Sequence, residues 1–316
     1  MEEFESQYPQ KPVLLKRKSN GHISITILSM VIFAITFSFI LDDYYLIAVL
    51  LGVLLFHELG HFLMMKLFKY EELNMLFIPF MGAMVSGRKE RYSQIESALM
   101  VIAGPLPGIL LGASLIMFGW IEPTAVSIQI GVLLIALNVM NLIPIDPLDG
   151  GQLMRILFFN NYELTQLIFT ALSSLAIAGL GLYFNSWILI ILGLLLGFRI
   201  KNKHKLYLIR KEMKDDEIFY ETNYDDLSNK TYSKIKQIII EFTPILKEIE
   251  VHNEEEKYNQ IVAKQVDGVL FPPTTKDASV FFKIFMMILW AGGIFISFYA
   301  LFSIDFNTII HAFQNR

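Results

Sequence analysis

Seven stretches of this 316-residue sequence are long, apolar and nearly free of charge: residues 23–40, 44–69, 95–118, 126–143, 164–183, 186–200 and 280–302. Runs of about 18 or more such residues are long enough to cross a bilayer as helices. A soluble helical protein with a large core would carry more charge than the 18% present here and would have no use for several uncharged runs of this length. The chain therefore reads as a polytopic membrane protein. Its N-terminus opens on acidic residues and a long polar stretch without a small-residue cleavage site, so the first apolar run is expected to stay as a helix.

One further apolar segment, Asn74–Gly87, is interrupted by Pro79, Gly82 and Gly87. It is too short to span, and its Phe, Ile and Val content suits extended chain. Extended backbone cannot face lipid bare, so this piece is expected to be a re-entrant element set against protein or water. Orientation follows from the loops. Lys16–Lys18, then Lys66, Lys69, Arg88, Lys89 and Arg91, then Lys201, Lys203, Lys205, Arg210 and Lys211 form three basic clusters, whereas Leu41–Asp43, Gly119–Thr124 and Phe184–Ser186 contain no Lys or Arg. With seven spans every basic cluster falls on one side, which the positive-inside rule makes the cytoplasm. Residues 201–279 carry about half of the chain's charged residues, and Ser233–Glu250 repeats apolar residues at helical spacing. The expectation is an all-α polytopic membrane protein: a cytoplasmic tail (1–22), a membrane core (23–200) with six helices and the re-entrant β-like element, a polar cytoplasmic insert (201–279), a seventh transmembrane helix (280–302) and a short external tail (303–316).

The chain has no cysteine, so any bound metal must be held by His, Asp or Glu. A net charge of −4 gives no reason to expect nucleic acid. Inside the second apolar run stands His57-Glu58-Leu59-Gly60-His61. Helix residues four apart share a face, so the two imidazoles can reach one ion, and Glu58 beside them can act as a base. This is the HExxH arrangement of metalloproteases. Its neighbours, Leu54, Leu55, Phe56, Phe62, Leu63, Met64 and Met65, are all apolar. Ionisable groups placed there are costly and mark function.

A catalytic zinc needs a third protein ligand and an open position. The fourth run ends in Asn141-Leu142-Ile143-Pro144-Ile145-Asp146-Pro147-Leu148-Asp149-Gly150-Gly151, on the same side as the histidines. Its prolines stop the helix and its glycines permit a tight return. Broken helices at membrane depth occur where they line a cavity, and there a carboxylate could meet metal and water. By position Asp146 and Asp149 are both candidates. Arg155 close by reads as a membrane-edge anchor, and His22, His204, His252 and His311 stand isolated in polar or terminal positions.

The pair Phe56-His57-Glu58-Leu59-Gly60-His61 and Asn141…Pro144…Pro147-Leu148-Asp149-Gly150 resembles the site-2 protease family of intramembrane zinc metalloproteases, over about residues 44–160. The resemblance implies one zinc held by His57, His61 and Asp149, which favours Asp149 over Asp146. It implies Glu58 as general base and Asn141 as a hydrogen-bonding group near the reacting carbonyl. Ala103-Gly104-Pro105-Leu106-Pro107-Gly108 is similar to the family's Gly-Pro element, and Asn74–Gly87 to its membrane-embedded β element. Gly108 stands where many members have Asn, so no polar role carries over to that position. The function so implied is a zinc metalloendopeptidase that cleaves transmembrane segments of membrane proteins in regulated intramembrane proteolysis. The expected location is the plasma membrane of a prokaryote, with the active site near the cytoplasmic face. The expected partners are a transmembrane substrate and the lipid bilayer, with no nucleic acid. The rival reading is a membrane metal carrier or transporter using the same His/His/Asp site. A carrier should leave a trail of polar residues across several helices, whereas here they gather at one depth.

Overall fold

The computed structural model describes residues 8–15, 23–80, 82–118, 125–159, 163–246, 249 and 255–314. Lys16–Lys18, His22, the Gly119–Thr124 loop and His252 lie outside the described residues. The chain is mostly helical and divides into two compact units. One comprises residues 18–89, 93–160 and 276–316 and contains the HExxH helix; the other comprises residues 1–17, 90–92 and 161–275. Among the described residues five helical stretches are long and apolar enough to cross a membrane, so the protein is an integral membrane protein.

In the first unit the elements run α1 (Ile23–Ser38), α2 (Tyr44–Leu67), β1 (Glu71–Ile78), β2 (Gly82–Arg88), α3 (Gln94–Ile102), α4 (Pro105–Met117), α5 (Ala125–Leu142), α6 (Asp149–Met154), α11 (Val280–Phe302) and α12 (Phe306–Gln314). The helix α2 starts at Asp43, whose carboxylate accepts the amides of Tyr45 and Leu46, and it ends with Lys66 in its last turn. Both placements suit the exposed donors and acceptors of helix ends. The stretch 95–118, expected as one helix, is long and apolar enough to cross as one span but is broken into two helices. Ser93 accepts the Glu96 amide to open α3, and Pro105, which has no amide hydrogen, opens α4 after the break at Ala103-Gly104. The helix α5 stops at Leu142, two residues before Pro144. Its last carbonyl is taken by the Trp290 indole of α11 at 2.8 Å.

The strands β1 and β2 form an antiparallel hairpin that pairs Asn74 with Ser86, Met75 with Val85 and Phe77 with Ala83. This is the extended element expected at Asn74–Gly87. Its two edges differ. On the β1 side α1 supplies the missing partners: the Thr26 hydroxyl donates to the Met75 carbonyl at 2.8 Å, and Ser29 Oγ accepts the Phe77 amide at 3.1 Å. The polar groups of Met75 and Phe77 therefore face away from β2. By the alternation of an antiparallel ladder, those of their partners Val85 and Ala83 face away from β1, along the opposite edge.

In the second unit the elements are α7 (Glu163–Tyr183), α8 (Trp187–Asp215), α9 (Asn229–Phe242) and α10 (Glu255–Val269). Their core joins Ile209 and Met213 of α8 to Ile235, Ile238 and Ile239 of α9 and Val262 and Val266 of α10. These include the apolar positions read from the spacing in Ser233–Glu250, although α9 ends at Phe242 because Thr243 precedes Pro244 and leaves the helical region. Buried Arg210 donates to the carbonyls of Val269 and Leu270 and to Glu163, which ties α7, α8 and the end of α10 together.

Two of the seven expected spans do not meet the length and apolarity test. The helix α1 has 16 described residues, about 24 Å at 1.5 Å per residue, against a hydrocarbon core of about 30 Å. The helix α8 is apolar only in its first half and runs through residue 200, the expected end of the span, into the charged segment up to Asp215. The external tail expected at 303–316 contains the helix α12, where the Ala312 carbonyl accepts the Gln129 amide of α5.

Candidate metal centre

The second half of α2 carries His57, Glu58 and His61 into the interior of its unit. His57 and Glu58 are buried and His61 is nearly so. The imidazoles stand edge to face, with ring centroids 4.8 Å apart and their Nε2 atoms 3.1 Å apart. The third group arrives from far along the chain, at the first position of α6. Asp149 Oδ2 lies 3.1 Å from His57 Nε2 and 3.3 Å from His61 Nε2.

The outer nitrogens explain why these three atoms converge. His61 Nδ1 donates to the Met100 carbonyl at 2.8 Å. That carbonyl lies in the last turn of α3, where the break before Pro105 leaves carbonyls without an ordinary helical partner. His57 Nδ1 bonds Asn138 Oδ1 at 2.7 Å. With a proton on each Nδ1, each Nε2 turns a lone pair toward Asp149. Close backbone approach makes the arrangement possible. A Cβ at Gly60 would stand 2.0 Å from the Ala103 carbonyl oxygen, and one at Gly104 would stand 2.2 Å from His61 Nε2. Glycine at these two positions lets α2 press against the α3–α4 break.

These residues fit zinc. Asp149 Oδ2 is buried without a hydrogen-bond partner, facing two nitrogen lone pairs. An ion bonded at about 2.0–2.2 Å in a tetrahedron holds its ligand atoms about 3.3–3.5 Å apart, close to the spacing found. Two imidazoles and one carboxylate also form a donor set that leaves a fourth position open. Among the described residues, His57, His61 and Asp149 are the group of His, Asp or Glu side chains able to hold a metal together. Glu58, next to His57 in sequence, instead takes a hydrogen bond from the backbone of Val85 in β2. Its carboxylate thus sits between the histidines and the outward-facing edge of the hairpin.

Of the two aspartates in the second motif, Asp146 is buried against Arg155, whose Nη1 donates to it at 3.2 Å. Arg155 thus has a partner inside its unit, and Asp149 is the carboxylate that meets the histidines. Asn141 donates from Nδ2 to the Leu137 carbonyl one turn back, at 3.1 Å. The residue that touches His57 is Asn138, one turn earlier on the same face of α5. The sequence did contain a signal for it, namely two asparagines three apart in an otherwise apolar run. The parts played by the Met100 carbonyl and the Val85 backbone left no trace in side-chain chemistry.

No curated protein matches the chain. Residues 45–130 match the family model of peptidase family M50. The match covers α2 with its HExxH, the hairpin, α3, α4 and the start of α5, while Asn138, Asn141 and Asp149 lie beyond it and are reached by the fold. The resemblance carried by the two motifs and the match agree: residues 45–130, the part of the membrane core that bears the HExxH helix and the hairpin, are similar to peptidase family M50, the site-2 protease family.

Proposed function

We propose that this chain is a zinc-dependent intramembrane endopeptidase that cuts within transmembrane segments of other membrane proteins. The observation that carries the reading is the convergence of His57 Nε2, His61 Nε2 and an orphaned Asp149 Oδ2 beside the buried carboxylate of Glu58. Zinc bound there supplies Lewis acidity, polarising the scissile carbonyl and making water acidic enough to ionise near neutral pH. Glu58 takes a proton from the attacking water and passes it to the amine that leaves as the C–N bond breaks. Asn141 has a second Nδ2 hydrogen to offer the reacting carbonyl.

A helical substrate hides its carbonyls in its own hydrogen bonds and must unwind to be cut. Unwound backbone at membrane depth needs new partners, and an exposed strand edge supplies them. The Thr26 and Ser29 hydroxyls occupy the β1 edge and Glu58 takes the Val85 amide, so the edge of β2 around Ala83 is where a substrate strand is taken up. The product is a fragment released to the cytoplasm in regulated intramembrane proteolysis, from the plasma membrane of a prokaryote.

The metal assignment is tested by elemental analysis of detergent-purified protein. Wild type should hold about one zinc per chain, and His57→Ala and Asp149→Ala should each hold much less. Full zinc in both variants would remove the ligand assignment. Wild-type protein should also cleave membrane-anchored substrates, and a zinc chelator should stop it.

Orientation rests on the basic loops. With the five longest spans alone, the loop bearing Lys69, Arg88, Lys89 and Arg91 would lie opposite residues 201–279. Counting α1 and the first half of α8 as spans brings all basic clusters to one side, as the positive-inside rule requires. Reporter fusions at residue 230 are then expected to read cytoplasmic and fusions after residue 305 external. A cytoplasmic C-terminus would mean that one of these two segments does not cross.

A further inference from the structure

We infer that Asn138 is the positioning residue of the metal centre: its side-chain oxygen fixes the tautomer and direction of His57, and the bare backbone at Gly108 is what makes room for it. The inference rests on the zinc reading above.

Asn138 is fully buried, 0% exposed, so no water competes for its amide. Its two ends are used differently. Nδ2 donates to the Leu134 carbonyl one turn back in α5, at 2.7 Å. That bond settles which end of the amide faces which way and turns Oδ1 toward His57 Nδ1, also at 2.7 Å. An amide oxygen only accepts, so Nδ1 must carry the proton and Nε2 is left as the ligating atom.

The space for this amide comes from α4. A Cβ built on Gly108 would lie 2.2 Å from Asn138 Nδ2, 2.7 Å from Cγ and 2.9 Å from Oδ1. Any side chain at 108 would enter the volume that the Asn138 amide fills. The two helices thus meet with a missing side chain on one and a buried amide on the other, and that amide reaches the metal ligand. The Leu134 carbonyl belongs to α5 itself, so Asn138 is anchored on its own helix and holds a residue of α2.

A positioning role is read in metal affinity and ligand geometry. Asn138→Leu keeps the side-chain size and removes the acceptor. Zinc affinity is measured by competition with a chromogenic chelator, and ligand geometry by the visible absorption of cobalt-substituted protein. The melting temperature of the metal-free protein in detergent checks the fold. The Leu variant should bind zinc about 10- to 100-fold more weakly than wild type and show an altered cobalt spectrum. If the Leu variant fails to yield folded protein, Asn138→Ala, which removes the same acceptor without adding bulk, takes its place. Zinc held equally well by wild type and the acceptor-free variant overturns the inference alone. A wild-type chain that holds no zinc overturns the metal reading and this inference with it.

Discussion

Glu58→Gln should lose at least about a hundredfold in cleavage, the usual scale for a general base, while zinc stays bound. Glutamine keeps the length of the side chain and can still accept the hydrogen bond from the Val85 backbone that Glu58 takes. It cannot take a proton from water. The three ligating atoms come from His57, His61 and Asp149, so removing the charge of Glu58 takes no donor away from the metal group. The helix turns about 100° per residue, which points Glu58 away from the direction of His57. Elemental zinc and turnover of a membrane-anchored substrate, measured on the same preparation, decide the matter. The variant also separates a protease from a carrier, because a carrier has no water to deprotonate and should move metal about as well after the substitution. Near-normal proteolysis by the variant would sink the catalytic assignment even with the metal site intact.

Gly60→Val should be nearly as damaging, although Gly60 neither binds metal nor carries a functional group. A Cβ at this position would lie 2.0 Å from the Ala103 carbonyl oxygen and 2.7 Å from its carbon. Both are backbone atoms, so no side-chain rotation relieves the clash. The end of α3 must move off α2 by roughly 1 Å, the scale at which misplacement costs about a hundredfold in rate. The Met100 carbonyl that holds His61 Nδ1 lies on that same helix end and moves with it. Zinc affinity and cleavage should fall together, and helix content by circular dichroism should stay close to wild type. Leu63→Val is the control, since Leu63 is 60% exposed in the protein and its change introduces no such clash. Wild-type zinc and cleavage in Gly60→Val would show that the close approach of α2 to the α3–α4 break is not needed.

Much of the molecule was legible along the chain because the physics involved is local. Hydropathy marked the runs that became α2, α5, α7 and α11 to within a few residues, and composition marked Asn74–Gly87 as extended. The 3.6-residue period alone places His57 and His61 on one face with Glu58 beside them, whatever else the chain does. Pro144 follows the end of α5, as read from the sequence, whereas the breaks at Pro105 and Pro244 went unread inside patterns that looked continuous.

What local periodicity cannot carry is who meets whom across long separations. Asp146 and Asp149 sit three apart in one motif, and spacing leaves either free to be the ligand. Packing of α6 turned Asp149 to the histidines and gave Asp146 to Arg155. The same packing brought Asn138 to His57, the Met100 carbonyl to His61 and the Val85 backbone to Glu58. It also made Gly60, Gly104 and Gly108 points of contact between helices rather than mere gaps in an apolar run. The type of ligand is chemistry written in single residues. Their common direction is a property of helix surfaces pressed together, and it exists only once the chain has folded.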